Sequence, residues 1–299
     1  MGEPARTPAG VPTEAEVLGR AAGENFPVAS RWLLGSHRDH LLALYGFARL
    51  VDELGDRAPG DRLALLDWAE SELERAAAGS PDHAVFARLA PTIRTCRLPL
   101  QPFRDLIEAN RRDQSVGRYA TFDDLRGYCR LSADPVGRLV LAVFGVEGGE
   151  ETRLSDAVCT GLQLVEHWQD VVEDAAAGRI YLPLEDMEAF GVTEADVLAA
   201  GTGSAGAGAP GGPASARLRA LIEFETARAR QLLETGAGLV GRLSGRPRLA
   251  VAGFVAGGLA TADALAGRGY DVLAGPPRPR RPRMARHALA LLARRRGRP

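Results

Sequence analysis

Two pairs of aspartates set the chemistry open to this chain. Asp170 and Asp174 stand four residues apart in QLVEHWQDVVEDAAAGRIYLP (residues 163–183), an apolar-periodic run without Pro or Gly before Gly178. In a helix that spacing puts both carboxylates one turn apart on a single face. A second copy, Asp52 and Asp56, lies in FARLVDELGD on another apolar-periodic run. One Asp-x-x-x-Asp alone is a weak signal, because it arises by chance in many helices. Like charges at this spacing repel, and Asp is a poor helix former. Two such pairs beside buried faces therefore call for a counter-charge. Mg²⁺ supplies one, since it takes few protein carboxylates and keeps positions for water and substrate phosphates.

Helices must position these groups, and the periodicity reads helical nearly throughout. A helix over 40–54 carries Leu41, Leu42, Leu44, Tyr45, Phe47, Leu50 and Val51 around most of its circumference, which marks it as buried. Its polar exceptions, Arg49, Asp52 and Asp56, share a face. Asp61 reads as the N-cap of a following helix with Leu63, Leu66 and Leu73 inward, ended by Gly79 and Pro81. Further helices are expected at 14–22, 82–95, 101–116, 122–131, 136–144, 151–176, 194–200, 215–241 and 247–267. Alternating strand patterns are absent. Small residues in the last of these helices, from Ala250 to Ala260, permit close helix approach. The expected architecture is all-α, a single domain over 14–275. Residues 1–13 read as a disordered N-terminus, 201–214 (GTGSAGAGAPGGPA) as a flexible Gly/Ala insert, and 276–299 as a basic tail.

Composition bounds the function. The 299 residues are 45% apolar and 25% charged, globular values, and a net charge of −1 argues against bulk nucleic-acid binding. All 37 basic residues are Arg. Cys96, Cys129 and Cys159 are odd in number and lack metal-ligand spacing, which suits a reducing cytoplasm. The polar, Pro-rich start has no signal-peptide core, and no run reaches the ~18 apolar residues of a membrane span. A soluble cytoplasmic protein is the expectation. The stretch 278–299 holds nine arginines and no acid, leaving the rest of the chain at −10. Its simplest reading is a solvated, disordered tail; alternatively ARHALALLA forms a short amphipathic helix resting on anionic lipid.

Other motifs are missing. There is no internal repeat, Gly-rich phosphate loop, Ser-His-Asp order or Cys/His cluster. Gly253 to Gly258 sits inside a helical pattern instead of after a strand, so no dinucleotide fingerprint is expected. His37, His40, His83 and His287 are scattered and read as surface or packed residues. His167, next to Glu166 and three residues before Asp170, either borders the site or packs behind it.

Several separate blocks together resemble the squalene/phytoene synthase family, over about Phe26 to Tyr270. FPVASRWL resembles the segment entering the first helix, and LYGFARLVDELGD the first aspartate-rich helix with its tyrosine and arginine at Tyr45 and Arg49. DLIEANRRDQSVGRYATFDDLRGYCRLSADPVG resembles the middle block, and QLVEHWQDVVEDAAAGRIYLP the second aspartate-rich helix with its exit. The resemblance implies an all-helical class I isoprenoid synthase bundle around a central cavity. It implies that Asp52, Asp56, Asp170 and Asp174 hold several Mg²⁺ ions that bridge to an isoprenoid diphosphate. Arg49 and Arg179 would add direct donors and Tyr45 and Tyr181 would orient groups at the mouth. An apolar wall would hold the isoprenoid tails, with Phe26, Phe47, Tyr128 and Trp168 offering aromatic faces to cationic centres. Gln163 and His167 would lie along the substrate.

The departures narrow the activity. Where the family usually has Asn and Arg before the second aspartates, this chain has Glu166 and Gln169. The usual serines before the first Phe are replaced by Gly23-Glu24-Asn25, and Gly258 stands near the late tyrosine. Groups able to grip a second diphosphate are thus missing, which argues against head-to-head joining and leaves ionisation of a single diphosphate. ENFPVAS and QLVEHWQDV resemble the hydroxysqualene synthase branch of the bacterial hopanoid pathway. There, presqualene diphosphate is ionised and water captures the cation; Glu166, His167 or Gln169 would position that water, and no NADPH is expected. Other squalene-pathway enzymes are possible partners, and the basic tail a peripheral membrane contact. The alternatives are a squalene, dehydrosqualene or phytoene synthase, and a non-catalytic helical assembly factor. The last should have lost its aspartates.

Overall fold

The structure, a computed structural model, describes residues 7–19, 35–202, 213–272 and 278–293. Fifteen α-helices run through them: α1 (Glu14–Gly19), α2 (Arg38–Asp56), α3 (Arg62–Ala78), α4 (Ala84–Cys96), α5 (Gln101–Arg112), α6 (Phe122–Ser132), α7 (Asp134–Val143), α8 (Gly149–Gln169), α9 (Val171–Ala176), α10 (Leu184–Ala189), α11 (Glu194–Thr202), α12 (Pro213–Gly236), α13 (Gly238–Arg242), α14 (Gly245–Gly267) and α15 (Arg281–Ala293). The described residues contain no strand, only one isolated parallel bridge between Arg118 and Ile180. The all-α expectation holds.

Local chemistry explains where these helices begin and end. The Asp61 carboxylate accepts from the Ala64 amide at 3.0 Å and caps α3. Gly79 ends that helix with a φ of 86°, a left-handed turn that favours glycine. Thr121 and Asp124 exchange side-chain and backbone hydrogen bonds in a capping box at α6. Thr193 and Asp196 do the same at α11.

Five expectations change. Leu63, read as inward on α3, is half exposed because it lies off the face that buries Leu66 and Leu73. The helix expected over 151–176 breaks at Asp170, which takes φ −102° and ψ 12° between α8 and α9. The Asp174 amide still donates to the Asp170 carbonyl at 2.8 Å, so the two carboxylates keep helical spacing across the break. Residues 7–13, read as disordered, lie against the bundle: Val11 packs on the core, and Gly10 turns with a φ of 88° beside Pro59. The stretch read as a solvated tail contains α15, whose Leu291 is buried against the bundle. One helix, α14, is long and apolar enough to cross a membrane, contrary to the reading of the sequence. Two-thirds (67%) of its most apolar stretch is buried inside the bundle. Most of the Gly/Ala insert lies outside the described residues.

Two hydrophobic cores flank a cavity. One core gathers α2 to α5, with Phe47 edge-on to Phe86 and Phe103 at centroid distances of 5.8 and 5.0 Å. The other gathers α6 and α8 to α15 around Trp168, Leu164 and Leu233. Helices α7 and α14 contribute to both. Between them lies an apolar cavity of about 240 Å³, walled by α2, α5, α7, α8, α13 and α14. Leu44, Tyr45 and Ala48 line it from α2, and Val158, Cys159 and Leu162 from α8.

The wall formed by α8 depends on close approach of α12. A Cβ on Gly236 would lie 2.5 Å from Val158 Cγ2 and 2.8 Å from the Leu154 carbonyl oxygen. Gly236→Ala therefore overpacks this contact and should cost about 1–3 kcal/mol, read as a lower midpoint in thermal or urea unfolding. Gly127→Ala, in a helical position with nothing within 4 Å of the added Cβ, should instead stabilise by about 0.5–1 kcal/mol. Equal effects of the two substitutions would contradict the packing described.

Candidate active site

Both aspartate pairs sit at the same end of the cavity. On α2 the cavity-lining residues 41–48 precede Asp52 and Asp56; on α8 the lining residues 155–162 precede Asp170, and α9 carries Asp174. The chain that follows α9 then closes the distance between them. Gly178 turns it with a φ of 85°. The Ile180 amide donates to the Gly117 carbonyl at 2.9 Å, and the Leu184 amide to the Tyr119 carbonyl at 3.0 Å. Arg118 fixes the same junction, donating to the Gly178 carbonyl at 2.8 Å and with two nitrogens to Glu194 at 2.7 and 2.8 Å.

Arg179 emerges from this junction and reaches the first pair. Its Nη1 donates to Asp56 Oδ1 at 2.7 Å, across 123 residues of chain. Asp113, just beyond the end of α5, lies in the field of both pairs, its carboxyl feeling Asp56 and Asp174 together. One of its oxygens accepts from the Tyr128 hydroxyl at 2.7 Å; the other, Oδ1, is buried without a hydrogen-bond partner. Asn110 Nδ2 lies 3.5 Å from Asp52 Oδ1 and donates to the Leu106 carbonyl at 3.1 Å.

Aromatic rings form the floor. Tyr181 stacks on His167 with centroids 3.7 Å apart and on Tyr119 at 5.8 Å, with Tyr128 tilted beside them. The Gln163 carboxamide nitrogen is 3.1 Å from His167 Nε2. That nitrogen can only donate, so neutral His167 accepts there and carries its proton on Nδ1. Nδ1 in turn faces Asp174 Oδ2 at 3.6 Å.

Burial dominates the electrostatics, and excess negative charge reinforces it. Burial, helped by Asp174 and Glu173, pushes Asp170 up to about 6. Burial, helped by Asp56 and Asp174, also pushes Asp113 to about 6, against the opposing Tyr128 hydrogen bond and Arg179 charge. Asp52 reaches about 6 as well, from burial opposed by the Asn110 amide and reinforced by Asp56. Its side chain is nonetheless exposed to solvent while ringed by protein, as on the wall of an open cleft. Water therefore weakens its hold on the proton relative to Asp113. Burial pushes the Tyr119, Tyr128 and Tyr181 hydroxyls up, so all three remain donors.

Among the described residues, no group of three or more His, Cys, Asp or Glu side chains is arranged to hold a metal ion unaided. The carboxylates instead stand as two pairs whose fields both reach Asp113. Magnesium is typically held by one or two carboxylates plus substrate phosphates, and this donor set fits that pattern. The raised carboxyls and the unpartnered Asp113 Oδ1 mark a place short of positive charge.

The site residues anticipated from the sequence divide into three groups. Asp52, Asp56, Asp170, Asp174, Arg179, Tyr181, Tyr128, His167 and Gln163 come together as described. Tyr45 lines the cavity, about two turns before Asp52 and three before Asp56, and not the mouth of the acidic pairs. Arg49 shares a recess with Pro12, Glu16 and Val17 and lies 3.7 Å from Glu53, with Asp52 in its field. Glu166 and Gln169 meet in a second small recess, with Gly257, Gly258, Thr261 and Met284.

Two aromatics do not belong to the site. Phe47 is fully buried between Phe86 and Phe103, because its helical position points it into the first core. Trp168 is fully buried too and donates through Nε1 to the Glu225 carbonyl at 3.2 Å. Neither presents a face to the cavity. Phe26 lies outside the described residues. Sequence reasoning missed Asp113, Asn110 and Tyr119 as site residues. Their only signal is their place in NRRDQSVGRYA, where nothing in the spacing marks them.

An acid whose pKa is higher in the folded than in the unfolded chain binds its proton more tightly when folded. For Asp170 that stabilisation is complete below its ordinary value of 3.8 and is lost as pH rises through about 6. In the presence of a chelator, Asp170→Asn should raise Tm by a few degrees at pH 8 and leave it nearly unchanged at pH 4. A gain of equal size at both pH values would show that charge crowding is not its source.

Known proteins share this arrangement of chain. The sequence pattern described as squalene/phytoene synthase matches residues 20–287. The chain is 41% identical over 180 residues to a hydroxysqualene synthase of Zymomonas mobilis, covering 58% of this chain and 59% of that protein. It is 38% identical over 212 residues to a phytoene synthase of Arthrospira platensis, covering 65% and 64% respectively. It thus spans about three-fifths of the length of these curated relatives. The crystal structure of squalene synthase HpnC from Alicyclobacillus acidocaldarius superposes with a TM-score of 0.76 at 43% identity, over 86% of this chain and 95% of that one. Paired aspartates at the end of one cavity, on an all-helical bundle that this family pattern spans almost entirely, settle the kinship: the chain belongs to the squalene/phytoene synthase family.

Proposed function

We propose that this protein ionises presqualene diphosphate and lets water capture the rearranged cation, giving hydroxysqualene and free diphosphate. The observation that carries the diphosphate chemistry is the convergence of both aspartate pairs on Arg179 and Asp113 at one end of an apolar cavity. Breaking the C–O bond sends its electron pair to the diphosphate, whose developing charge must be neutralised as it leaves. Mg²⁺ bound by the aspartate pairs would supply that neutralisation as a Lewis acid. Arg179 would add a fork of donors beside Asp56, and the protonated Tyr181 hydroxyl would stay available as a donor while the Tyr128 proton is held by Asp113. The apolar walls from Leu44 to Phe254 would hold the hydrocarbon and keep bulk water from the cation.

The choice within the family rests on Glu166 and Gln169. The head-to-head synthases that the chain resembles carry Asn and Arg at these positions and must grip two diphosphates. A carboxylate and a carboxamide grip a second one poorly and bind water well. Their recess shares Leu162 with the apolar cavity, which supports a role in holding the capturing water. That water adds to carbon and gives up one proton. A phytoene synthase or squalene synthase activity is the second reading, favoured by the likeness to the Arthrospira platensis phytoene synthase and to the Alicyclobacillus acidocaldarius squalene synthase.

Purified protein with Mg²⁺ should convert presqualene diphosphate to hydroxysqualene, with no change of product on adding NADPH. Farnesyl or geranylgeranyl diphosphate alone should give no coupled hydrocarbon; a thirty- or forty-carbon product from either would overturn the assignment. Asp52→Asn and Asp170→Asn should each lower turnover by about 10²-fold or more. Magnesium with pyrophosphate should raise the wild-type Tm.

A further inference from the structure

The C-terminal helix is displayed as a surface. Helix α15 runs antiparallel to α14 and is held there by a cluster around Asp263. Asp263 Oδ2 is 2.8 Å from His287 Nε2, Oδ1 accepts from Arg230 at 2.5 Å, and the Asp263 carbonyl accepts from Arg283 at 3.0 Å. At the other end, Arg248 donates to the Leu292 carbonyl at 2.8 Å. Met284, His287, Ala288, Leu291 and Leu292 consequently turn inward.

The opposite face points at solvent, yet it is not polar. Ala285, Leu289, Ala290 and Ala293 are exposed along successive turns, with Arg286 among them. Leu289 is 68% exposed, more than any other exposed large hydrophobic among the described residues. Leu249, next in sequence to Arg248, is a second leucine, 43% exposed, near the same end of the helix pair. Arg278, Arg280 and Arg281 are exposed just before the helix. Residues 278–299 carry nine arginines and no acid, on a chain otherwise at −10. An isolated basic patch fits any polyanion. A leucine and alanines between the arginines fit an anionic bilayer, where the apolar side chains enter the acyl boundary and the guanidinium groups meet the headgroups.

We infer that α15 docks the protein on anionic lipid bilayers through Leu289 and the surrounding arginines. The helix also borders the small recess through Met284, and that recess shares Leu162 with the apolar cavity. The inference stands apart from the proposed reaction, since binding is read without any substrate.

Flotation of the full chain with vesicles provides the test. The chain should float with phosphatidylglycerol-containing phosphatidylcholine vesicles at low salt and not with pure phosphatidylcholine. Raised salt should release it. Leu289→Glu and the double substitution Arg280→Glu/Arg281→Glu should each weaken binding by about tenfold, with Tm unchanged because these positions are exposed. Leu63→Glu, at a remote exposed leucine, should have no effect on flotation. Equal binding to neutral vesicles, insensitivity to Leu289→Glu, an equal loss from Leu63→Glu, or tighter binding of duplex DNA than of anionic vesicles at the same salt would each overturn it. A chain that floats as described but leaves presqualene diphosphate intact would refute the proposed reaction alone.

Discussion

The structure turns on the crowding of carboxylates at one end of an apolar cavity. Asp52, Asp56, Asp113, Asp170 and Asp174 come from α2, the end of α5, and the α8–α9 junction. Among the described residues, the cation hydrogen-bonded within this group is Arg179, on Asp56. Burial first, and the neighbouring carboxylates second, hold three of the five carboxyls near pH 6. Folded proteins rarely leave charge so poorly compensated unless something else completes it. The rest of the bundle can be read as the means of bringing these groups together and of holding them against their mutual repulsion.

That holding falls to a few specific contacts. The Gly117–Tyr119 segment pairs with the Ile180–Leu184 segment, and the Arg118–Glu194 fork locks the pair from outside. Without this junction Arg179 and Tyr181 would have no fixed relation to Asp113. On the opposite side, Gly55 leaves room for Asn110, whose Oδ1 would lie 2.3 Å from any Cβ added there. Asn110 in turn approaches Asp52. Positioning of the first pair thus runs through α5, a helix that carries no aspartate of either motif.

The break at Asp170 has a similar logic. A continuous helix would place Asp170 and Asp174 on one rigid face; the interruption keeps their spacing while ending α8 at Gln169. Asp170 is thereby the residue at which α8 gives way to α9, with Asp174 left within 3.6 Å of His167. Stacking of His167 on Tyr181 joins this acid wall to the aromatic floor.

Much of this was legible from residue order. Helical periodicity, the Asp61 cap, the four aspartates and the blocks around them carry information locally, through spacing, so a linear reading recovers them. The aromatic residues show the limit of that reading. Phe47 and Trp168 are of the right type and near the right motifs, yet their rotation about the helix axis turns them into two separate cores. Asp113 and Tyr119 show the converse: with no pattern of their own, they become central only because the Arg118–Ile180 bridge folds their segment against the exit of the second motif. The tail likewise reads as solvated until Asp263 is seen to hold it. Periodicity and capping depend on neighbours within a turn or two, which sequence displays. Which face meets which cavity depends on contacts between residues tens to more than a hundred positions apart, and only the packed chain decides those.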